Sequence, residues 1–322
     1  MRVGWSRPAL FLLTVLFACD LCFGQSNGRP CAVPLVVTRF DPATRTSRMV
    51  EGLVASNLNL TIDGKAVPVG SLSTDSGPKR VVLVLDASRN VRGVEWNLAT
   101  ETAATLVQNA RQDDRFALIL TGRETAPPPF QSPGEIQSQL NELRRNRPST
   151  PNGSERNYDA LKAAASSLNP PRFGDAIFLF GHPEDEGSTA TFDQIKQAIL
   201  EGGIRFYGLS FTDPLKGALH VGPNPNQPVL HGVARAKLDE LSALTGYFFS
   251  YHPPEALAVA GQKQLLAGFL ADVYAGIAAP YRVPIPSTFI SRPGYLEAEV
   301  SEDVHTRDVH YPHVVYPCVI SP

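Results

Sequence analysis

Hydrophobic and polar positions along this chain fall into blocks of different period. The run Arg80-Val81-Val82-Leu83-Val84-Leu85 is apolar after its first residue and stops abruptly at Asp86-Ala87-Ser88-Arg89-Asn90. A short run with β-branched residues reads as a strand buried on both faces, as at the centre of a parallel sheet. Comparable runs stand at 115–120, 176–180, 204–211 and 247–251; the aromatic set of the last, Tyr247, Phe248, Phe249 and Tyr251, reads as strand core. Between them the spacing predicts helices over 91–110, 134–145, 156–168, 192–201 and 235–245, and one long amphipathic helix over 255–277. On the first of these, Val91, Val94, Leu98 and Leu106 share an arc of about 120° at helical period. Gly202-Gly203 and Gly246 are stop signals. Pro127-Pro128-Pro129 restrict any strand near 126–130 to a short edge.

The alternation of strand and helix predicts an α/β fold, a doubly wound and mostly parallel sheet with helices on both faces. The two ends of the chain have another texture. Residues 35–38, 58–62 and 66–69 read as short strands, with Asp63-Gly64 as a hairpin turn between the last two. After Pro280, short strands return at 281–285 and 295–300. That tail is too small for a core of its own. The expectation is a small accessory β unit built from both chain ends, with N-terminal strands in 32–75, the α/β domain in 79–279 and C-terminal strands in 280–322.

Composition changes this picture little. The 322 residues are 43% hydrophobic and 19% charged, as in a globular chain, and the net charge of −2 leaves no electrostatic footprint for nucleic acid. The first 24 residues read as a secretory signal: Arg2 and Arg7, an apolar core from 9 to 18, and Gly24 before Gln25. The apolar stretch falls short of the ~20 residues that span a bilayer. Cleavage there predicts a secreted, periplasmic or cell-envelope protein with no membrane span; a lipoprotein anchored at Cys19 is the alternative. Of four cysteines, Cys31 and Cys318 then remain. In an exported chain they invite a disulfide, with two free thiols as the other reading. A bridge over so long a loop contributes on the order of 4–5 kcal/mol in the chain-entropy view.

Polar residues at the carboxyl end of a central parallel strand sit where open α/β sheets place their ligands. The stretch 81–90 resembles the opening of a von Willebrand factor type A (VWA) domain, whose first strand ends in Asp-x-Ser-x-Ser. Asn157-Tyr158-Asp159-Ala160-Leu161 resembles a helix start typical of that family. Phe178-Leu179-Phe180-Gly181-His182-Pro183-Glu184-Asp185 stands where its members carry apolar residues and then Thr-Asp-Gly. Residues 238–249 resemble its last helix and strand. The resemblance covers about residues 79–279, and residues 33–72 also resemble the segment preceding the domain in exported bacterial VWA-related proteins.

The resemblance implies a metal-ion-dependent adhesion site at the sheet's carboxyl edge, where hard oxygen ligands hold Mg²⁺ and a partner's carboxylate completes the shell. Asp86 and Ser88 keep two of the expected oxygens, and Asn90 keeps an amide oxygen. The family's threonine falls at Glu155, with Ser154 beside it, and the family's aspartate falls at His182. Imidazole suits Zn²⁺, Cu²⁺ or Ni²⁺ better than Mg²⁺. Glu155, Glu184 and Asp185 are candidate replacements. The expectation is a degenerate site with no cofactor, in an exported module that binds another protein and is not an enzyme. A divalent cation at Asp86 and Ser88, or a hydrolase or metalloenzyme using His182 with Ser88 and Asp86, are the alternatives; a purely structural envelope component is a third. No Gly-x-Ser-x-Gly elbow surrounds Ser88. His305, His310 and His313 read as exposed or interfacial, the last two on opposite faces of one strand. Arg144-Arg145-Asn146-Arg147 reads as a basic helix C-terminus favoured by the dipole.

Overall fold

The computed structural model describes residues 32–41, 46–88, 90–122, 127–148, 155–211, 230–301 and 308–317. Residues 1–24, read above as a leader, all four cysteines and hence the expected Cys31–Cys318 pairing, Ser154 and His305 lie outside the described residues. Among the described residues no helix is long and apolar enough to cross a membrane.

Strands β1 (Ala32–Asp41), β2 (Thr46–Met49), β3 (Leu58–Ile62), β4 (Lys65–Val67) and β5 (Ser73–Thr74) come first. The α/β portion follows: β6 (Arg80–Leu85), α1 (Gly93–Gln108), β7 (Arg115–Leu120), α2 (Pro133–Arg145), α3 (Asn157–Ser167), β8 (Ala176–Phe180), α4 (Phe192–Gly202), β9 (Arg205–Ser210), α5 (Leu230–Leu244), β10 (Phe249–Tyr251), α6 (Pro254–Leu257) and α7 (Gln262–Ala278). The chain closes with β11 (Tyr281–Pro284), β12 (Gly294–Val300), β13 (Asp308–His310) and β14 (Val314–Val315).

The central sheet has the order β10-β9-β8-β6-β7 and every pairing is parallel. Residues of β6 alternate between two cores. Val81, Leu83 and Leu85 pack with α1, α2 and α7, whereas Val82 and Val84 pack with α3, α4 and α5. Burial on both faces is why the run is continuously apolar. Among the described residues, the proline-rich segment after β7 ends in an isolated antiparallel bridge, Gln131 to Phe116. The direction of winding reverses between β6 and β8, so the crevice beyond their carboxyl ends is the position that doubly wound folds use for ligands.

The two ends of the chain fold against each other. β1 pairs with β11, β13 and β2, and β11 also pairs with β5. The second sheet runs β14-β12-β3-β4. Its hairpin turn is Asp63-Gly64, both at positive φ (49° and 72°), the geometry that a two-residue turn between twisted strands requires. The architecture is therefore a doubly wound, VWA/Rossmann-like α/β sheet with an accessory β unit drawn from both termini.

Three sequence expectations need correction. Val94 is 48% exposed; the buried face of α1 is broad and rich in Ala and Thr, and it includes Glu95 and Trp96. The expected helix over 255–277 is two, because the chain takes a left-handed conformation at Gly261 (φ 83°) before α7 begins. His310 and His313 do not share a strand: β13 ends at His310, and Pro312 intervenes before β14.

Candidate functional site

Asp86 follows β6, and His182 follows β8 by two residues. Because the strands are register neighbours, with Leu85 opposite Phe180, the two residues meet over the crevice. Asp86 is fully buried and its carboxylate is braced from three sides. Oδ1 accepts from the Ser88 N–H at 2.9 Å and from the Thr121 hydroxyl at 3.0 Å; Oδ2 accepts from the His182 N–H at 3.1 Å. Thr121 in turn accepts from the Ala87 N–H at 3.0 Å. Gly181 passes so close that an added Cβ would overlap the Asp86 side chain, so only glycine admits this approach.

His182, 8% exposed, lies between two carboxylates from different elements. Its Nδ1 is 3.5 Å from Glu155 Oε1, just before α3, and its Nε2 is 3.6 Å from Glu95 Oε2 in the first turn of α1. Acids beside both nitrogens favour the charged ring, although Nε2 makes no hydrogen bond among the described residues. Burial opposes the charge, but Glu155, Glu95, Asp86 and Glu184 together overcome it and push the pKa up to about 10. Burial likewise opposes ionisation of Glu95, and His182 and Arg92 overcome it, lowering that carboxyl to about 2. Glu95 also accepts from the Arg92 N–H at 2.6 Å, so one carboxylate both caps α1 and pairs with His182.

Of the residues singled out in the sequence, Asp86, Ser88, Glu155 and His182 are brought together and are all buried. Asn90 is exposed, and its side-chain N–H donates to Glu155 Oε1 at 3.0 Å. Among the described residues the buried Ser88 hydroxyl has no hydrogen-bond partner, and its main-chain carbonyl accepts from Arg147 at 2.8 Å. Arg147 also reaches the Val91 carbonyl at 2.7 Å, so this residue of the basic cluster clamps the loop after β6. Asp185 accepts from the Tyr158 N–H at 2.9 Å, at the start of α3, and Asn157 donates to the His182 and Glu184 carbonyls. Glu95 and Thr121 were missed in the sequence, and Arg147 was read there as part of a helix end, whereas the helix stops at Arg145. The available signals were the Arg92-x-x-Glu95 capping spacing and the position of Thr121 directly after β7.

Asp86, Glu155 and His182 each offer one potential ligand atom, all within 4.8 Å of one another. The set does not suit Mg²⁺, which demands oxygen ligands in near-octahedral array. His182 would supply a nitrogen donor, and only after losing its proton. The Asp86 oxygens already accept from three protein donors. The arrangement is also unlike a Ser-His-Asp triad, since the Ser88 hydroxyl is not hydrogen-bonded to His182 and both ring nitrogens face acids.

These features define an α/β unit of VWA-like fold. No family model and no curated protein matches the chain. Among solved structures, BatB from Bacteroides thetaiotaomicron, a conserved hypothetical protein, is 16% identical over 60% of this chain and 97% of its own (TM-score 0.43). An aerotolerance-related membrane protein from Bacteroides fragilis NCTC 9343 is 15% identical over 62% and 100% (TM-score 0.43). Proximal thread matrix protein 1 from the mussel byssus is 12% identical over 66% and 50% (TM-score 0.46). Likeness this loose carries neither an activity nor a partner from those proteins to this one.

Proposed function

We propose that the chain is an exported protein-binding module, of adhesion or scaffold type, that engages another protein around the carboxyl edge of its parallel sheet without Mg²⁺. The reading rests on one observation, His182 held between Glu155 and Glu95. A charged ring bound into the protein balances part of the buried acid that would otherwise call for a metal ion. The loops over the crevice are then braced without an added ion, and Asn90, Arg92, Val94 and Glu186 stand exposed around them. Export rests on the composition of residues 1–24. Crosslinking capture from the native secreted or envelope fraction tests the reading. Partner capture should persist in EDTA and fall at least tenfold when Asn90, Arg92 and Glu186 are changed together to Ala. Capture that needs Mg²⁺, or that is indifferent to the triple substitution, would refute it.

A second reading is favoured by the mixed nitrogen and oxygen donors of Asp86, Glu155 and His182: an altered site for a borderline metal such as Zn²⁺. Calorimetric titration with Mg²⁺, Mn²⁺ and Zn²⁺ separates the two. Silence in all three supports the first reading, and saturable heat with Zn²⁺ alone supports the second.

A further inference from the structure

The tail from Asp308 to Val315 crosses the seam between the accessory unit and the end of α5, and it carries His310 and His313. It is tied on one side by β13, which pairs with β1 over three residues, and on the other by β14, which pairs with β12 over two. Between these short ties the His313 N–H donates to the Leu244 carbonyl at 2.9 Å, and the His313 carbonyl accepts from the Leu296 N–H at 2.8 Å. Gly246 (φ 80°) lies so close that an added Cβ would overlap the Tyr311 main chain, so this seat takes glycine alone. Most of the segment is half-buried. A cavity of about 390 Å³ runs beside Asp308 and His310, and one of about 70 Å³ beside Pro312, Val314 and Val315.

Both imidazoles rest against rings. His310 stacks on Tyr247, which lies just before β10 and not within it, with centroids 6.2 Å apart. His313 stacks on Tyr295 of β12 at 5.7 Å and meets Tyr311 at 4.6 Å. Burial lowers the pKa of each. Asp308 and the Gly246 main chain pull His310 the other way without overcoming it, and so does the Leu296 main chain for His313. Around His310, β1 presents Val36 and α7 presents Asp272; Asp272 and Asp308 each keep an interaction of their own within the protein. Arg205 lies behind Tyr247, 5.7 Å from its ring centroid. Ser250 of β10 is bonded to His252, whose pKa burial also lowers. Around His313, the Tyr295 N–H donates to Asp63, which is 3.8 Å from Arg292. Protonation puts an N–H on both nitrogens of the His313 ring, and its buried Nδ1 has no acceptor among the described residues.

We propose that the segment from Asp308 to Val315 is a pH-sensitive latch, seated across the seam while both imidazoles are neutral and released as a unit on mild acidification, with the parallel sheet still folded. Acid charges two rings whose seats offer that charge little, and uptake of two protons makes release steeper than one alone. Release joins the two cavities and uncovers β1 from Val36 to Thr38.

Hydrogen exchange of the full chain at pH 7.5 and 5.5, expressed as protection factors corrected for intrinsic rates, tests the latch. The N–H groups of His313 and Leu296 should lose protection at least tenfold at pH 5.5, while those of Val82 and Ile177 in the parallel sheet keep theirs. His310→Phe combined with His313→Phe keeps a ring at each place and should hold the latch protected at both pH values. If that variant fails to fold, His310→Phe alone should cut the loss to about threefold. His252→Phe should leave the response of the latch intact. Unchanged protection at pH 5.5, a loss shared equally by the parallel sheet, a loss that survives the phenylalanine variants, or a response abolished by His252→Phe would overturn the proposal.

Discussion

His182 and His310 are the same side chain in two regions of one molecule, one buried and one half-buried, and their pKa values shift in opposite directions. His182, at the crevice, has a carboxylate oxygen 3.5–3.6 Å from each ring nitrogen, and these acids push its pKa up to about 10. His310, at the seam between the α/β sheet and the accessory unit, stacks on Tyr247 with ring centroids 6.2 Å apart. Burial lowers its pKa and outweighs the pull of Asp308. The difference teaches that burial alone does not decide an imidazole's charge; the placement of acids against both nitrogens does.

The largest expected effect comes from breaking the crevice pair. His182→Leu leaves Glu95, Glu155 and Asp86 buried around an apolar group, and should lower stability by about 3–5 kcal/mol in denaturant unfolding. Adding Glu155→Gln to that variant should restore part of the loss; full additivity would show that the two residues are not coupled. Gly181→Ala should come next, at about 1–3 kcal/mol, because a methyl group there displaces Asp86.

His182→Asp sharpens the comparison from the other side. It replaces the fixed cation with a hard oxygen ligand, so the variant should be destabilised without metal and gain several degrees in Tm on adding Mg²⁺, a shift the parent lacks.

The two regions should also part company with pH. The His182 pKa is raised from 6.5 to about 10, so its stabilising contribution is whole below pH 6.5 and fades as pH climbs toward 10. Glu95, lowered from 4.5 to about 2, contributes fully above pH 4.5 and loses that contribution as pH falls toward 2. The lowered pKa of His310 has the reverse consequence from His182: folding is favoured above pH 6.5 and weakens as pH drops below it. Unfolding curves from pH 5 to 10 should therefore lose their alkaline slope in His182→Gln. The smallest effect is expected from His310→Phe, which keeps a ring on Tyr247. It should change stability by under about 1 kcal/mol at pH 7.5 and flatten the acid side.

The parallel core was legible because strands buried on both faces leave uninterrupted apolar runs. The runs at 115–120 and 176–180 coincide with β7 and β8. Asp86 and His182 could be linked because each closely follows such a run, and the strands turned out to be neighbours. Glu95 was hidden because hydrophobic periodicity does not register an acid on a buried helix face; its burial follows from His182, which lies far along the chain. The split between α6 and α7 was marked by Gly261, but glycine within a helical pattern is often tolerated, so spacing alone favoured continuity. The pairing of Tyr247 with His310 depends on how the tail returns across the seam, a long-range contact that no local pattern records.

The strand exchange between the chain's extremities has a consequence for how the molecule matures. Val33, Leu35 and Val37 of β1 face a core whose other wall includes Tyr281, Val283 and Leu296. A polypeptide emerging from its amino end first must hold that apolar ribbon open while more than two hundred further residues arrive. The α/β sheet can close meanwhile from nearer neighbours, and the terminal sheets are the slow, non-local step. Any factor that attends this chain while it folds should therefore grip β1 and let go when β11 docks.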